Sequence, residues 1–328
     1  MLRIHFTAED RGRVRFAQVT DPLWETVLSV HQLVGPAAFF APWQRRARTA
    51  LSTARLGADL NLLTTLAPAR SYFPDFLTPA LDSPGCVDTA IDTVMSTRPR
   101  RLRTDIGLLA QGLPRPPMWL DDIARGRPTA LARLGSVLRR YYAAAIAPYV
   151  ADMALGMAHV RDTLSRRALT EGPETVLGLL TPTARWRPPV LEVDYPVERD
   201  LHLYGRGLTL IPSFFCHHHP IALADPALPP VLVYPAGRGK VWIPRTGSDP
   251  RTASALEFLI GPTRAAALRS LAVGHTTSAL AARISTSVPT ASRHAAALRQ
   301  AGLVSTERQG TSVLHTRTPL GTRLVHGW

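Results

Sequence analysis

The chain has 328 residues, enough for about two domains, and 45% of them are apolar. Its 38 basic residues outnumber its 24 acidic residues, for a formal charge of +14, and all but one of the basic residues are arginine. Two cysteines, Cys86 and Cys216, are too few for a disulfide framework and are typical of a reducing interior. No apolar run resembles a secretory signal or a membrane span, since Pro148 and Asp152 interrupt the longest one. We therefore expect a cytoplasmic protein without membrane contact.

The first 180 residues are predicted to be mainly helical. Residues 2–6 alternate as a short strand, and Asp21 followed by Pro22 is typical of a helix N-cap with proline in the first turn. Further helices are predicted from about 36 to 48, near 59–66 and near 87–97. A helical pattern over 129–167, broken near Pro148, predicts a pair of helices packed as a hairpin.

The region 184–243 has the composition of strands. It is rich in β-branched residues that alternate with polar ones, Gly205 and Gly207 indicate a turn, and the pattern continues through 231–234 and 240–243. We expect a small antiparallel β region here. The predicted fold class is therefore α+β, with an N-terminal domain over 1–247 that is helical over 1–180 and β-rich over 184–243.

The stretch FFCHHHP, residues 214–220, raises the question of a metal site, since cysteine and histidine are the usual zinc ligands. In an extended chain His217 and His219 share one face, and His202 or Asp225 could supply a third ligand. Nothing in the pattern brings these groups together. A hydrogen-bonded or solvated strand end is the favoured interpretation, with His217 and His219 as weak candidates and no cofactor expected.

The C-terminal segment 251–328 concentrates the basic charge. It contains nine arginines and two acidic residues, a net +7, whereas the first 250 residues carry the same excess over three times the length. A compact basic segment is typical of a nucleic-acid-binding domain, although a solvated basic face would have the same composition.

Residues 276–316 carry the strongest pattern in the chain. Thr276 can cap one helix, and Ser287 can cap a second helix with Pro289 in its first turn. The second helix buries Ala291, Ala295 and Leu298 on one face and ends before Gly302. Two strands then flank a predicted turn at Gln309-Gly310.

This order of elements, helix, short turn, helix and hairpin, predicts a winged helix-turn-helix over 251–328. In such a domain the second helix, here 287–300, enters the major groove and the wing, here 304–316, contacts the DNA backbone. The predicted DNA-binding residues are Thr276, Ser287, Val288, Pro289, Thr290, Ser292, Arg293, His294, Arg308, Gln309 and Thr311.

The stretch SALAARISTSVPTASRHAAALRQAGLV, residues 278–304, resembles the winged helix of ArsR-type bacterial repressors, with SRH and AGLV in matching places. FLIGPTRAAALRSLA, residues 258–272, resembles the preceding helix of that family. The resemblance implies a homodimer that binds an inverted repeat in double-stranded DNA and acts as a ligand-released repressor. Metal-sensing members carry cysteines at the positions occupied here by 279–284, where none is present, so that metal site is absent.

The first 250 residues are far longer than the rest of a typical ArsR-type protein. Residues 1–17, 185–196 and 210–220 resemble N-terminal domains found ahead of such winged helices in high-GC bacteria. That resemblance implies the pairing of domains and no particular ligand. We expect this domain to dimerise or to sense a small-molecule effector.

The sequence lacks recognisable catalytic motifs. YPAGRGK, residues 234–240, lacks the spacing of a phosphate loop, and no G-x-S-x-G is present. We therefore predict a DNA-binding transcriptional regulator and not an enzyme. Two alternatives remain open: a scaffold that uses the winged helix to bind protein, or a ligand-processing enzyme fused to a DNA-binding domain.

Overall fold

The computed structural model shows a mixed α+β protein with small sheets. The chain divides into two compact units, Met1–Pro244 and Arg245–Trp328. The structure describes residues 1–17, 21–35, 38–69, 72–80, 86–181, 184–217, 219–236, 256–271, 274–309 and 312–326.

The first unit is mainly helical up to residue 177. The predicted cap is confirmed, because the Asp21 side chain accepts hydrogen bonds from the backbone N–H groups of Leu23 (2.9 Å) and Trp24 (3.1 Å). The two short helices expected before residue 100 are also present. The helices are α1 (Ala8–Arg11), α2 (Pro22–Val34), α3 (Ala41–Thr53), α4 (Gly57–Leu66), α5 (Val87–Met95), α6 (Pro99–Gln111), α7 (Trp119–Ala124), α8 (Pro128–Ala145), α9 (Val150–Glu171) and α10 (Pro173–Leu177).

Two helical predictions need correction. Helix α3 begins at Ala41, about five residues later than expected, since Ala38–Phe40 directly before it form a 3-10 helix and Pro42 suits the first turn of the α-helix that follows. The break near Pro148 is present, but the described residues of α8 and α9 do not pack along each other as the predicted hairpin requires. Helix α8 packs with α3, α4 and α5, whereas Leu164 near the end of α9 belongs to a second core with α10 and the strands.

The described residues of the first unit also form two four-stranded sheets. Gly205 and Gly207 form the predicted turn, with φ angles of +78° and +74° that favour glycine. The strand predicted at 231–234 is confirmed, and the one at 240–243 lies outside the described residues. The strands are β1 (Leu2–His5), β2 (Val14–Phe16), β3 (Arg185–Arg187), β4 (Val190–Val193), β5 (Arg199–His202), β6 (Leu208–Ser213), β7 (Ile221–Ala222) and β8 (Val231–Pro235).

The prediction of an antiparallel β region is wrong, since both sheets are mixed. In the sheet ordered β3-β4-β1-β5, strand β1 pairs antiparallel with β4 and parallel with β5. In the sheet ordered β2-β6-β8-β7, strand β6 is parallel to both β2 and β8. Strand β1 enters the first sheet from the start of the chain, 180 positions or more before the other strands, whereas the second sheet is mixed even without β2, since β6 and β8 are parallel to each other.

The second sheet separates two apolar cores. Ile211 and Val233 pack with the helices, whereas their sequence neighbours Leu210 and Leu232 pack toward the first sheet. Both faces of β6 and β8 are therefore buried, as is usual for parallel strands covered on each side.

The Arg245–Trp328 unit is built of short helices and one small sheet. Its sheet has the strand order β10 (Val304–Gln309), β11 (Ser312–Arg317) and β9 (His275–Thr276), with both pairings antiparallel. Its core contains Ala267, Leu268, Leu271, Leu280, Ala281, Ala291, Ala295, Leu298, Leu303 and Val304. The elements are α11 (described over 256–260), α12 (Pro262–Ser270), β9 (His275–Thr276), α13 (Thr277–Arg283), α14 (Val288–Gln300), β10 (Val304–Gln309), β11 (Ser312–Arg317) and α15 (Pro319–His326).

Within the part of the chain that the structure describes, none of the helices is both long enough and apolar enough to cross a membrane.

Candidate nucleic-acid interface

Helices α13 and α14 begin at the two residues predicted as caps. Thr276 Oγ1 accepts the backbone N–H of Ala279 at 3.3 Å, and Ser287 Oγ accepts that of Thr290 at 3.4 Å. The connection between the helices is short, and Ser285 within it adopts a left-handed φ of +51°. The two helices pack directly on each other through the apolar core of this unit.

Helix α14 has the amphipathic character expected from its sequence. Ala291, Ala295 and Leu298 are buried and hold it against α12 and α13. On the opposite side the predicted residues Ser287, Val288, Pro289, Ser292 and Arg293 are exposed. These side chains are short apart from that of Arg293, so the exposed face would allow the helix backbone to approach a partner closely.

The N-terminal turn of α14 holds a small hydrogen-bond network. Thr290 Oγ1 accepts hydrogen bonds from Ser287 Oγ at 2.9 Å and from Arg293 Nη2 at 3.2 Å. Thr290 is itself half-buried, so its hydroxyl orients its neighbours more than it faces outward. The guanidinium of Arg293 is thereby kept beside the start of the helix.

His294 lies less far outward than the sequence suggests. It is half-buried, and its pKa is lowered from the ordinary value by burial and by the nearby charges of Arg264 and Arg293. The lowered pKa disfavours the charged imidazolium, so His294 is suited to contribute hydrogen bonds of its ring nitrogens to an interface.

The hairpin presents a basic residue on its helix-facing side. Alternate residues of a strand share a face, so Arg308 lies on the same side as the buried Val304 and as Thr306. Arg308 is exposed and pairs across the hairpin with Val313, beyond the region that the core covers. Glu307 points to the opposite side, which separates the acidic residue from this basic position.

One of the predicted wing residues, Gln309, has a different placement. Strand β10 continues to Gln309, which pairs with Ser312, so Gln309 belongs to the strand and not to the turn. Cross-strand pairing decides the register of the hairpin. This pairing includes Gln309, which the predicted Gln309-Gly310 turn had placed outside the strand. Thr311 lies outside the described residues.

His315 on β11 is a residue that the sequence patterns did not identify. It is only 6% exposed, and both of its ring nitrogens are 3.0 Å from threonine hydroxyls: Nε2 from Thr277 Oγ1 and Nδ1 from Thr306 Oγ1. Burial and the charge of Arg299 lower the pKa of His315. In the sequence, the only sign of a buried His315 was its position in an alternating strand. That position does not show that Thr277 and Thr306 lie beside its ring.

Most of the arginines that the structure describes in this unit lie on its surface without an acidic partner. Glu257 is occupied by Arg269, with Oε1 and Nη1 2.8 Å apart. Five other arginines are exposed and have no acidic partner among the residues that the structure describes; these are Arg264, Arg283, Arg293, Arg299 and Arg308. An excess of unpaired cations on a small domain attracts polyanions.

The two weak metal candidates in the first unit are directed to other partners. His217 stacks on Phe39, with ring centroids 5.2 Å apart, and His219 Nδ1 lies 3.2 Å from Asp194 Oδ2. Asp225 forms an ion pair with Arg101. Over the described residues, which omit His218, there is no group of three or more histidine, cysteine or acidic side chains arranged to hold a metal.

The same loop surrounds a buried carboxylate. Glu25 on α2 is fully buried and accepts hydrogen bonds from the backbone N–H groups of Phe214 (2.8 Å) and Phe215 (3.1 Å) and from the hydroxyl of Ser213 (3.1 Å). Burial nevertheless raises the pKa of Glu25 to about 7. The start of FFCHHHP is thus tied to helix α2 through backbone groups, which any sequence at those positions would offer.

No protein-family model, no curated protein and no solved structure matched the chain. A functional assignment therefore depends on the geometry and chemistry of the residues described above.

Proposed function

We propose that the protein is a DNA-binding transcriptional regulator whose C-terminal unit is a winged helix-turn-helix of the ArsR type. In this proposal α14 enters the major groove, and the hairpin β10–β11 is the wing that contacts the phosphate backbone. The observation that carries the proposal is the exposed face of α14, where small polar residues surround Arg293 at the capped start of the helix.

Three features support a duplex partner over a protein partner. The exposed residues at the start of α14 are small or polar except for Val288, which does not amount to the apolar centre of a protein interface. The start of a helix favours contact with phosphates through its free N–H groups and its dipole. The exposed arginines without acidic partners supply the sequence-independent part of the binding energy.

The proposed mechanism uses two copies of the chain. Half-sites of an inverted repeat are separated by about one turn of DNA, ~34 Å, so a dimer must hold its two α14 helices at that spacing. We assign dimerisation and the recognition of a small-molecule effector to residues 1–247. An effector that favoured a different spacing would release the protein from DNA, since both helices could no longer occupy adjacent major grooves.

A DNA-binding titration tests the proposal. The probe is a fluorescein-labelled duplex of about 30 base pairs from directly upstream of the protein's own coding region, long enough for two half-sites one turn apart. We expect the logarithm of the binding constant to fall linearly with the logarithm of salt concentration, with a slope that corresponds to several phosphate contacts. Binding that does not depend on salt, or no binding at low salt, would exclude the proposed function.

A further inference from the structure

His315 connects the hairpin to the first helix of the helix-turn-helix. Its Nε2 reaches the hydroxyl of Thr277, the first residue of α13, and its Nδ1 reaches the hydroxyl of Thr306 on the neighbouring strand. Thr306 and His315 are also direct cross-strand partners in the β10–β11 ladder. One imidazole therefore links three elements of the unit, α13, β10 and β11.

A neutral imidazole ring can form both of these hydrogen bonds. One nitrogen carries a proton and donates it to a threonine hydroxyl, while the other nitrogen accepts from the second hydroxyl, and a hydroxyl can take either role. A leucine of similar size would also fill the space, but it would leave the hairpin held to the start of α13 by the short β9–β11 pairing and by apolar packing, without these two directional contacts. The two 3.0 Å hydrogen bonds depend on the orientation of the ring relative to Thr277 and Thr306, whereas apolar packing does not.

Arg308 is the residue whose position depends on this link. It lies two residues beyond Thr306 on the same face of β10, and it is exposed where the core no longer supports the hairpin. We propose that His315 is a positioning residue that locks the hairpin onto α13 and thereby holds Arg308 where it contacts a DNA phosphate. This inference rests on the proposed function, because Arg308 has no partner to meet if the unit does not bind DNA.

The test is a set of salt titrations with the upstream duplex and the full-length chain. Arg308→Ala should reduce the slope of log binding constant against log salt by about one per bound subunit, as expected for a lost phosphate contact. Thr277→Val keeps the size of the side chain and removes only the link to α13, so it should reduce the slope by the same amount. His315→Leu should do likewise, and adding Arg308→Ala to either variant should cause no further reduction.

The outcomes separate the two proposals. If Arg308→Ala still lowers the slope by about one in the Thr277→Val and His315→Leu backgrounds, the positioning role is wrong while DNA binding stands. The positioning role is also wrong if Arg308→Ala leaves the wild-type slope unchanged. If the unmodified chain shows no salt-dependent binding, both proposals fail. Thermal unfolding of each variant shows whether it is folded at the assay temperature, and Thr277→Val carries the test if His315→Leu is not.

Discussion

The carboxylate of Glu25 accepts a hydrogen bond from the backbone N–H of Phe214 at 2.8 Å, across 189 positions of sequence. Together with the bonds from Ser213 and Phe215, it joins helix α2 to the end of strand β6 inside the first unit. This carboxylate is buried and its pKa is raised to about 7, so the stability of this unit depends on pH near neutrality.

The pH dependence has two opposed contributions. The folded state holds the proton of Glu25 up to about pH 7 and the unfolded state only to about 4.5, so this group makes the free energy of unfolding fall as pH rises between those values. Asp21, with a pKa raised to about 6, acts in the same direction. His31 has a pKa lowered to about 4 by burial, so it makes the free energy of unfolding rise with pH from about 4 to 6.5.

Single substitutions should therefore separate the two effects. Relative to the wild type, the free energy of unfolding of Glu25→Gln should rise between pH 4.5 and pH 7. That of His31→Leu should fall over the same range. Each difference is expected to reach up to about 3 kcal/mol. Urea unfolding of the full chain at the two pH values measures the difference. Parallel pH profiles for wild type and both variants would contradict the assignment, whatever the absolute loss of stability in each variant.

Arg101 is the centre of a partly buried ion network that joins α6 to the β region. Its guanidinium contacts Asp75 (3.2 Å), Asp105 (2.9 Å) and Asp225, and both Asp75 and Asp105 are buried. Arg101→Leu would leave two buried carboxylates without a cation, so we expect it to lower the free energy of unfolding by about 3 kcal/mol. Arg103→Leu, an exposed arginine on the same helix, is the matched control and should change stability by less than about 0.5 kcal/mol. Equal effects of the two substitutions in chemical denaturation would argue against the network.

Arg293 should be required for sequence-specific binding and not for folding. Its side chain is exposed and its one described hydrogen bond is to Thr290 on the same helix. Arg293→Ala is expected to weaken binding to the upstream duplex about ten- to a hundredfold, since a good arginine contact to a base is worth about 1–3 kcal/mol. Arg100→Ala removes the same charge from an exposed position in the other unit and should leave the affinity nearly unchanged. Unchanged affinity of Arg293→Ala with a normal unfolding profile would refute the assignment of α14 as recognition helix.

Two glycines in helices should respond in opposite ways to alanine. A Cβ atom on Gly321 in α15 would overlap with the carbonyl oxygen of Leu303, so Gly321→Ala should destabilise the C-terminal unit by about 2 kcal/mol. A Cβ atom on Gly107 in α6 would meet nothing within 4 Å, so Gly107→Ala should stabilise the first unit by about 0.5–1 kcal/mol through helix propensity. Thermal unfolding of the two variants checks both directions, and a stabilised Gly321→Ala would show that α15 is not seated against Leu303.

Local features of the structure were predictable because they depend on residues three or four positions apart. The caps at Asp21, Thr276 and Ser287 follow from side chains that reach the next turn of their own helix. The buried stripe of α14 follows from helical periodicity in the same way, as does the position of its C-terminal glycine. These local signals also determined most of the candidate interface, since that site is built on the surface of a single helix and hairpin.

The remaining features depend on partners that are distant in sequence. Alternation shows which face of β1 is buried, but its pairing with β4 and β5 involves residues about 190 positions away, so the mixed character of the first sheet was missed. The contacts of Glu25 with Phe214 and of Arg101 with Asp225 were not predicted either, because these partners are also distant in sequence. His315 is the corresponding case in the C-terminal unit, because only the folded hairpin places its ring between Thr277 and Thr306. Sequence by itself determined where the side-chain-capped helices α2, α13 and α14 begin and which face α14 buries, and the tertiary structure alone decided which buried polar groups meet.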